Sequence, residues 1–530
     1  MRLSKLGASF GDRLSFLRVL TRRMAQDRAA PRQILWTIDA AGFGRAAYTI
    51  TYCGHTYTLV AVSTPLAPEA RSDRVIAEAW DASFVLYDGI PSAAEVDRIA
   101  ATAPRQEAAR FTEKDLVLSR ANRSGRLFDA VVQALRQGRQ PDPFSIIGIG
   151  YLMRTTAVYG NGKFGIADRS VIDDRPGMAD AFAAEMLTVW LIRHFTHDLV
   201  EFLGRGQLDP ALKRQLGIGN ATGLGMAPFL VTHPVLLNNW MLGRETALAR
   251  ARPLALDKPA LDRAQTFAQR AARHLDQWSV DASDAMAEIE TLRAEWQSFV
   301  AMLDHTTADR ATLGALVEGV QNTSAGMQEL VASLVIELAG DAVDGLADCM
   351  ADPFGPVPDP LGTTGTVRKA IEDRFGWALA LDFDDTVETA RFWYVSANKS
   401  EPRIGLRHDE PGADLESPLD IARRIRSLYD ALPDHADTRA FVENHPEHAL
   451  ALSRVGISAR YPYAEIQDNL IAASCRPIDL LRAKLARFGA TKFDPKSDLW
   501  TRVTLAQGAP LAEDIARGDG DDWWMAAWQP

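Results

Sequence analysis

The chain has 530 residues, 47% hydrophobic and 24% charged, a globular composition with length enough for more than one core. Its 58 basic residues against 69 acidic leave a net charge of −11, which opposes non-specific binding to nucleic acid. Three distant cysteines (Cys53, Cys349, Cys475) exclude a disulfide framework or CxxC metal site and fit a reducing, cytoplasmic setting; no apolar run suits a membrane span and no signal peptide is evident.

Residues 1–29 read as an amphipathic helix, with Leu3, Leu6, Phe10, Leu14, Leu17 and Met24 near one face, docked on its own domain or on a second subunit. Arg45–Tyr52 then alternates, placing Tyr48, Ile50 and Tyr52 on one face. A turn at Cys53–His55 leads into Thr56–Ser63, so the pair reads as an antiparallel hairpin. Trp36–Asp39 and Ser83–Tyr87 would add strands to the same small sheet. From about residue 91 the pattern predicts mostly helix. Ser92 with Glu95 and Thr112 with Asp115 have capping-box spacing, and a long helix is expected over Ala179–Leu203. Further helices are expected near Pro234 and between Pro259 and Met350.

Prolines at 353, 356, 358 and 360 with glycines at 355, 362 and 365 mark a linker, 353–365. It divides a main domain, 30–352, from a smaller, mostly helical region, 366–530. That region carries a short strand pair, Trp377–Phe383 and Arg391–Ser396, a helix starting at Pro477, and a tryptophan-bearing tail. The fold class expected is therefore α+β, predominantly helical, with a small antiparallel sheet near the N-terminus and a short strand pair near the C-terminus.

Three breaks in this pattern carry polar groups suited to chemistry. Arg154–Gly165 has three glycines in its last six residues. Freed backbone N–H groups with Arg154, Thr155, Asn161 and Lys163 would hold a carboxylate or phosphate. The chain has ten lysines among its 58 basic residues, in line with a GC-rich bacterial coding bias, so a lysine between glycines stands out. The segment is not a Walker A loop, because Phe164 follows Gly162-Lys163 where Ser or Thr belongs. A tight connection packed by Tyr159 and Phe164 is the alternative. The second break, Gly217–Gly225, follows a helical pattern rather than a buried strand, so a dinucleotide fingerprint is not indicated. Its Asn220 and Thr222, with His233 and Asn238 beyond, would line a polar pocket. The third break supplies Ser396, Lys399 and Arg403. Tyr159, Lys163, His233 and Lys399 are the candidate proton-transfer groups.

His194, His197, Asp198 and Glu201 share a helical face, and His445 with His448 repeats the spacing. The first three are weak candidates for a divalent metal. No nucleotide or haem fingerprint and no GxSxG elbow occurs. The nine residues Leu379–Val387, LALDFDDTV, resemble the first motif of the haloacid-dehalogenase superfamily. The resemblance implies Asp382 as phosphoryl-accepting nucleophile, Asp384 as general acid/base, a Mg²⁺ cofactor, and Gly518–Asp522 as a distal acidic motif.

These readings converge on an enzyme acting on a small acidic metabolite, with lyase or transferase chemistry favoured and homo-oligomerisation expected. The alternatives are a Mg²⁺-dependent phosphohydrolase and a non-catalytic helical assembly protein.

Overall fold

The structure is a computed structural model that describes residues 13, 15–63, 81–104, 112–160, 162–163, 166–167, 172, 174–179, 183–221, 246–277, 283–308, 311–343, 346, 362–385, 418–460, 490–497 and 500–520. Helix α1 (Phe16–Gln26) starts at Ser15, whose hydroxyl caps the Arg18 N–H. Its buried stripe of Phe16, Leu17, Leu20 and Met24 docks it on the main core. The docking also buries a charge pair, in which Arg18 reaches both oxygens of Glu337 at 2.6 and 2.5 Å and Arg13 adds a contact at 3.3 Å.

A meander follows: β1 (Arg32–Trp36), β2 (Gly44–Tyr52), β3 (His55–Ser63), β4 (Ala82–Asp88), β5 (Asp115–Arg123) and β6 (Tyr151–Gly160), each antiparallel to the one before. The predicted hairpin, Arg45–Tyr52 with Thr56–Ser63, lies within β2 and β3. Helix α2 (Ala93–Thr102) follows β4 and opens with the Ser92–Glu95 capping box. Helices α3 (Phe128–Arg136) and α4 (Pro143–Ile149) lie between β5 and β6. Asp142 caps α4, and Gly150, left-handed at φ +79, ends it one residue before β6.

After β6 come the two-residue strands β7 (Gly162–Lys163) and β8 (Ile166–Ala167), paired only with each other, then the long helix α5 (Ala183–Gly204). Nearly every described residue of α5 is buried, because it lies across β3, β4, β5, β6 and β9 with α1 and α3 alongside. Helix α6 (Pro210–Arg214) turns the chain into β9 (Gly217–Ala221), which runs parallel to β6. The hairpin β10 (Ala490–Ser497) and β11 (Trp500–Leu505) returns from far down the chain to pair β11 antiparallel with β9. The described strands thus form a nine-stranded mixed sheet in the order β1-β2-β3-β4-β5-β6-β9-β11-β10.

Helices α7 (Lys258–Gln277), α8 (Ser283–Asp304) and α9 (Ala325–Leu338) join the same apolar core, with Trp296 sealed between α7 and α8 and its indole N–H on Ala268 O at 2.8 Å. A second, separate core is built by α10 (Thr364–Ala380), α11 (Pro418–Ala431) and α12 (Ala449–Arg460), through Ile371, Phe375, Ile425, Leu428, Leu452 and Val455. The last helix, α13 (Ala512–Arg517), packs on α1 and puts Ile515 into the first core, so residues 490–517 belong with the N-terminal elements in space.

Three expectations are corrected. The sheet is large and mixed rather than small and antiparallel. Residues 115–121 of β5 are buried on both faces and show no alternation to read, while β6 and β9 carry glycines and polar residues that depress strand propensity until neighbours pair with them. Thr112 and Asp115 do bond locally, through the Thr112 N–H to Asp115 Oδ2 at 2.7 Å, yet the pair opens a strand instead of a helix. Residues 377–380 of the expected strand Trp377–Phe383 lie in α10, where Val367, Ala370, Ile371, Phe375 and Ala378 bury at helical spacing. Residues 391–396, the helix expected at Pro477, the tail from 521 and most of the 353–365 segment lie outside the described residues.

The tightest constraint on the sheet falls at β9. A Cβ on Gly217 would sit 2.2 Å from Leu505 O and 2.8 Å from Gln507 N, both backbone atoms, and a Cβ on Gly219 would sit 2.6 Å from the Tyr151 ring. Gly217→Ala is expected to destabilise the protein by about 2–3 kcal/mol, because the backbone of β11 must move away. A urea-unfolding midpoint indistinguishable from wild type would contradict this.

Candidate functional site

Strand β6 lies between β5 and the parallel β9, and its register decides what each residue faces. Phe84 touches Phe195 of α5, ring centroids 5.6 Å apart, so the face of β4 that carries Phe84 looks toward α5. Phe84 pairs with Ser119, which assigns Ser119 and Ala121 to the α5 side and Arg120 and Asn122 to the opposite side. On β6, Thr155 pairs with Ala121 but Ala157 pairs with Arg120, leaving Thr156 as an extra residue in a bulge. Arg154 pairs with Asn122, and Ser83 of β4 pairs with Arg120. The face away from α5 therefore gathers Ser83, Arg120, Asn122 and Arg154 on three adjacent strands.

These four groups are not equivalent. Arg120 is 1% exposed and Ser83 2% exposed, while Arg154 is half-buried. Asn122 is committed, its Oδ1 accepting the Asp81 N–H at 3.1 Å. Among the described residues, Arg154 has no hydrogen-bond or ion-pair partner, and neither does the Ser83 hydroxyl. Thr155 points the other way, fully buried, and donates to Gly219 O at 3.4 Å.

The remaining sequence candidates distribute as follows. Tyr159 pairs with Leu118 further along β6, Lys163 pairs with Ile166 in the β7–β8 hairpin, and Asn220 sits in β9 between Thr155 and Val503. Asn161, Thr222, His233, Asn238, Ser396, Lys399 and Arg403 lie outside the described residues. Two of the three polar breaks thus become neighbouring strands instead of loops. Strands β6 and β9 run parallel with Thr155 level with Asn220, so β9 stops at Ala221 while β6 continues to Gly160. Sequence reasoning missed Arg120 and Ser83. The available signal was an arginine inside the apolar run Asp115–Arg123, which a buried strand must pair or put to use.

The polar face of α5 is a second constellation. His194 Nε2 lies 3.7 Å from Asp198 Oδ2, which also accepts the Tyr48 hydroxyl at 2.8 Å. His197 Nε2 meets Leu216 O at 3.3 Å, and Glu201 pairs with Lys213 at 3.1 Å. Arg193 is fully buried and donates to four carbonyls, those of Leu216, Pro510, Arg214 and Ala509, at 2.7–3.0 Å. Burial, reinforced by Arg214, pulls its pKa down to about 9. A hollow of about 10 Å³, lined by Trp190, Arg193, His194, His197, Lys213, Leu511, Ala512 and Glu513, has room for a single water molecule. Each residue of the proposed metal set instead faces a protein group, and among the described residues no three His, Cys, Asp or Glu side chains are arranged to hold a metal ion. His445 similarly faces Glu447 at 3.3 Å, while His448 stacks on Phe441.

Cys53 opens onto a wide hollow of about 560 Å³ beside Asp27, Arg28 and Thr51. Burial and the Asp27 carboxylate raise its thiol pKa, which suppresses the thiolate a nucleophile needs. Asp382 and Asp384 follow the end of α10 in an exposed turn, with the Asp384 N–H on Asp382 Oδ1 at 2.9 Å. The dehalogenase motif calls for a strand to deliver those carboxylates, and a helix stands in its place. No helix among the described residues is long and apolar enough to cross a membrane.

Compared with known proteins, the chain matches no family model, no curated protein and no solved structure.

Burial lowers the pKa of both His194 and His197, that of His197 well below its usual value, with Arg193 and Lys213 adding repulsion. A histidine whose folded pKa is depressed contributes stability that is complete above its unfolded pKa, about 6.5, and is lost as pH falls below it. Urea unfolding at pH 7.5 and 5.5 is expected to show a smaller loss of stability for His197→Gln than for wild type. Equal losses in the two proteins would mean that His197 is not held neutral.

Proposed function

We propose that this protein is an enzyme that binds a small acidic metabolite, bearing carboxylate or phosphate, on the sheet face that carries Arg154. The observation behind this reading is that the Arg154 guanidinium has no partner among the described residues. Burying part of a charged group without a partner is costly, and the fully buried Arg18 and Arg193 are held by a carboxylate and by carbonyls. An arginine with several N–H donors open, on β6 opposite Gly219 of β9, suits bidentate recognition of a planar or tetrahedral anion. Tyr159 and Lys163 follow within nine residues on the same stretch of chain and are the proton-transfer groups of this reading. The reaction type is open, with lyase or transferase chemistry favoured. The phosphohydrolase alternative is not carried forward, because the helix before Asp382 removes the strand its mechanism needs.

Calorimetric titration with a panel of carboxylates and phosphate esters tests the reading. At least one anion is expected to bind wild type, and Arg154→Gln to weaken it by about tenfold or more, the scale of a lost charged hydrogen bond. The melting temperature of the unliganded variant should stay near wild type, since Arg154 has no described partner to lose. If no anion binds, or if the variant binds as well as wild type, the reading fails.

A further inference from the structure

We propose that the C-terminal segment 508–517 is an acid-operated latch on α5, released by protonation of His197 while the rest of the sheet stays folded. The latch is gripped over one short stretch of backbone. Pro510 O accepts the Trp190 indole N–H at 3.2 Å and the Arg193 guanidinium at 3.0 Å, and Ala509 O accepts Arg193 at 2.9 Å. Gly508 exchanges two bonds with Arg214, its N–H donating to Arg214 O at 2.8 Å and its O accepting from Arg214 Nε at 2.9 Å. Beyond Pro510 the grip changes. Among the described residues, Leu511, Ala512 and Glu513 make no hydrogen bond to α5, and the Leu511 N–H turns instead to Asp514 Oδ2 at 2.8 Å. Helix α13 is held there by apolar contact, through the buried Ile515 and its packing on α1.

The hollow of about 10 Å³ lies at this join. Helix α5 lines it with Arg193, His194 and His197, α6 with Lys213, and the C-terminal segment with Leu511, Ala512 and Glu513. The charged groups around the two rings are Arg193, Asp198 and Glu201 on α5, Lys213 and Arg214 on α6, and Glu513 and Asp514 on α13, with the Tyr48 hydroxyl arriving from β2. The histidines are not equivalent. His194 has the Asp198 carboxylate 3.7 Å from its Nε2, ready to meet a charge. His197 is buried against a carbonyl, Leu216 O at 3.3 Å, and has no carboxylate partner among the described residues. A proton on His197 therefore adds a third cation beside Arg193 and Lys213, and burial with that repulsion holds its pKa well below the usual value. Water is then the one group left to solvate the charge, and it must enter through a wall of the hollow. The wall on the sheet side leads to β9, hydrogen-bonded to β6 and β11 on its two flanks. The wall of Leu511–Glu513 has no such ladder, so it is the one that gives way.

Hydrogen–deuterium exchange of the full chain at pH 7.5 and 5.5, read by mass spectrometry as protection factors so that intrinsic rates cancel, tests the latch. The reporters are the amides of Ile515, Gly518 and Asp519, which donate to Leu511 O, Ile515 O and Asp514 O at 2.8–3.0 Å. A histidine that stays neutral when closed and titrates near 6.5 when open makes opening about tenfold more favourable across this pH step. Peptides covering 511–519 are expected to lose about tenfold in protection, while those covering β3 and β4 keep theirs. His197→Gln is expected to bring the 511–519 ratio close to one, and His194→Gln to leave most of the loss in place. Should His197→Gln fail to fold, Lys213→Gln serves. With one repelling cation gone, protonation of the closed form is easier, and the loss is expected to shrink severalfold. An unchanged loss in the variant tested overturns the proposal. So does an equal loss in β3, β4 and 511–519, which would mean that acid loosens the whole core and not the latch.

Discussion

The sheet depends on how little space there is around β9. Five residues, Gly217–Ala221, are inserted between a parallel neighbour and an antiparallel one, and two of them are glycines at points where a Cβ would collide with Leu505 O or the Tyr151 ring. That fit joins two parts of the chain that are otherwise far apart. On one side is the N-terminal meander, β1–β6, whose contacts are local. On the other is the β10–β11 hairpin, nearly three hundred residues later. If β9 is displaced, β6 gains an open edge, and β11 loses the strand through which it joins the sheet.

Helix α5 locks this junction from one side by means that have little to do with its own surface. Its side chains are mostly apolar and nearly all buried, so it behaves as a core element and not as an amphipathic surface helix. The exceptions are informative. Arg193 spreads its donors over carbonyls on both sides of the junction, at Arg214 and Leu216 before β9 and at Ala509 and Pro510 after β11. Trp190 adds its indole N–H to Pro510 O at 3.2 Å. The histidines beside Arg193 are held neutral, because another charge there would be repelled by Arg193 and Lys213 and would leave water at a cost. The face that looked like a set of metal ligands in one dimension works as a fastening between helix and sheet in three.

Arg154 contrasts with the arginines that are paired. Arg18 is matched to Glu337, Arg193 to four carbonyls and Arg98 to both oxygens of Asp115 at 2.9 and 3.0 Å. Folding withdraws these cations from water and returns hydrogen bonds of similar number. Arg154 receives no such compensation from described groups, although it stands at the middle of the sheet and not at its rim. A group left in that state is where binding energy from a ligand is available. The pairing of Arg154 with Asn122 sets it on the side away from the apolar face packed by α5.

Local chemistry alone was enough for several elements. The β2–β3 hairpin follows from alternation around Cys53-Gly54, the start of α2 from Ser92 and Glu95, and most of α5 from a long apolar run without glycine or proline. Each of these rests on interactions within a few residues, which a single segment records in full. The rest was decided by contacts across hundreds of positions. Asp115–Arg123, Tyr151–Gly160 and Gly217–Ala221 have weak or misleading propensity by themselves and become strands because each is hydrogen-bonded on both flanks. Leu379–Phe383 shows the converse, since alternating apolar residues there end a helix whose partners in α11 and α12 lie tens of residues away. Arg154 was visible in the sequence as a cation near glycines. Which way it faces, which arginine stands beside it and whether it has a partner were fixed only when register and bulge were set, because a slip of one residue in a strand exchanges its two faces.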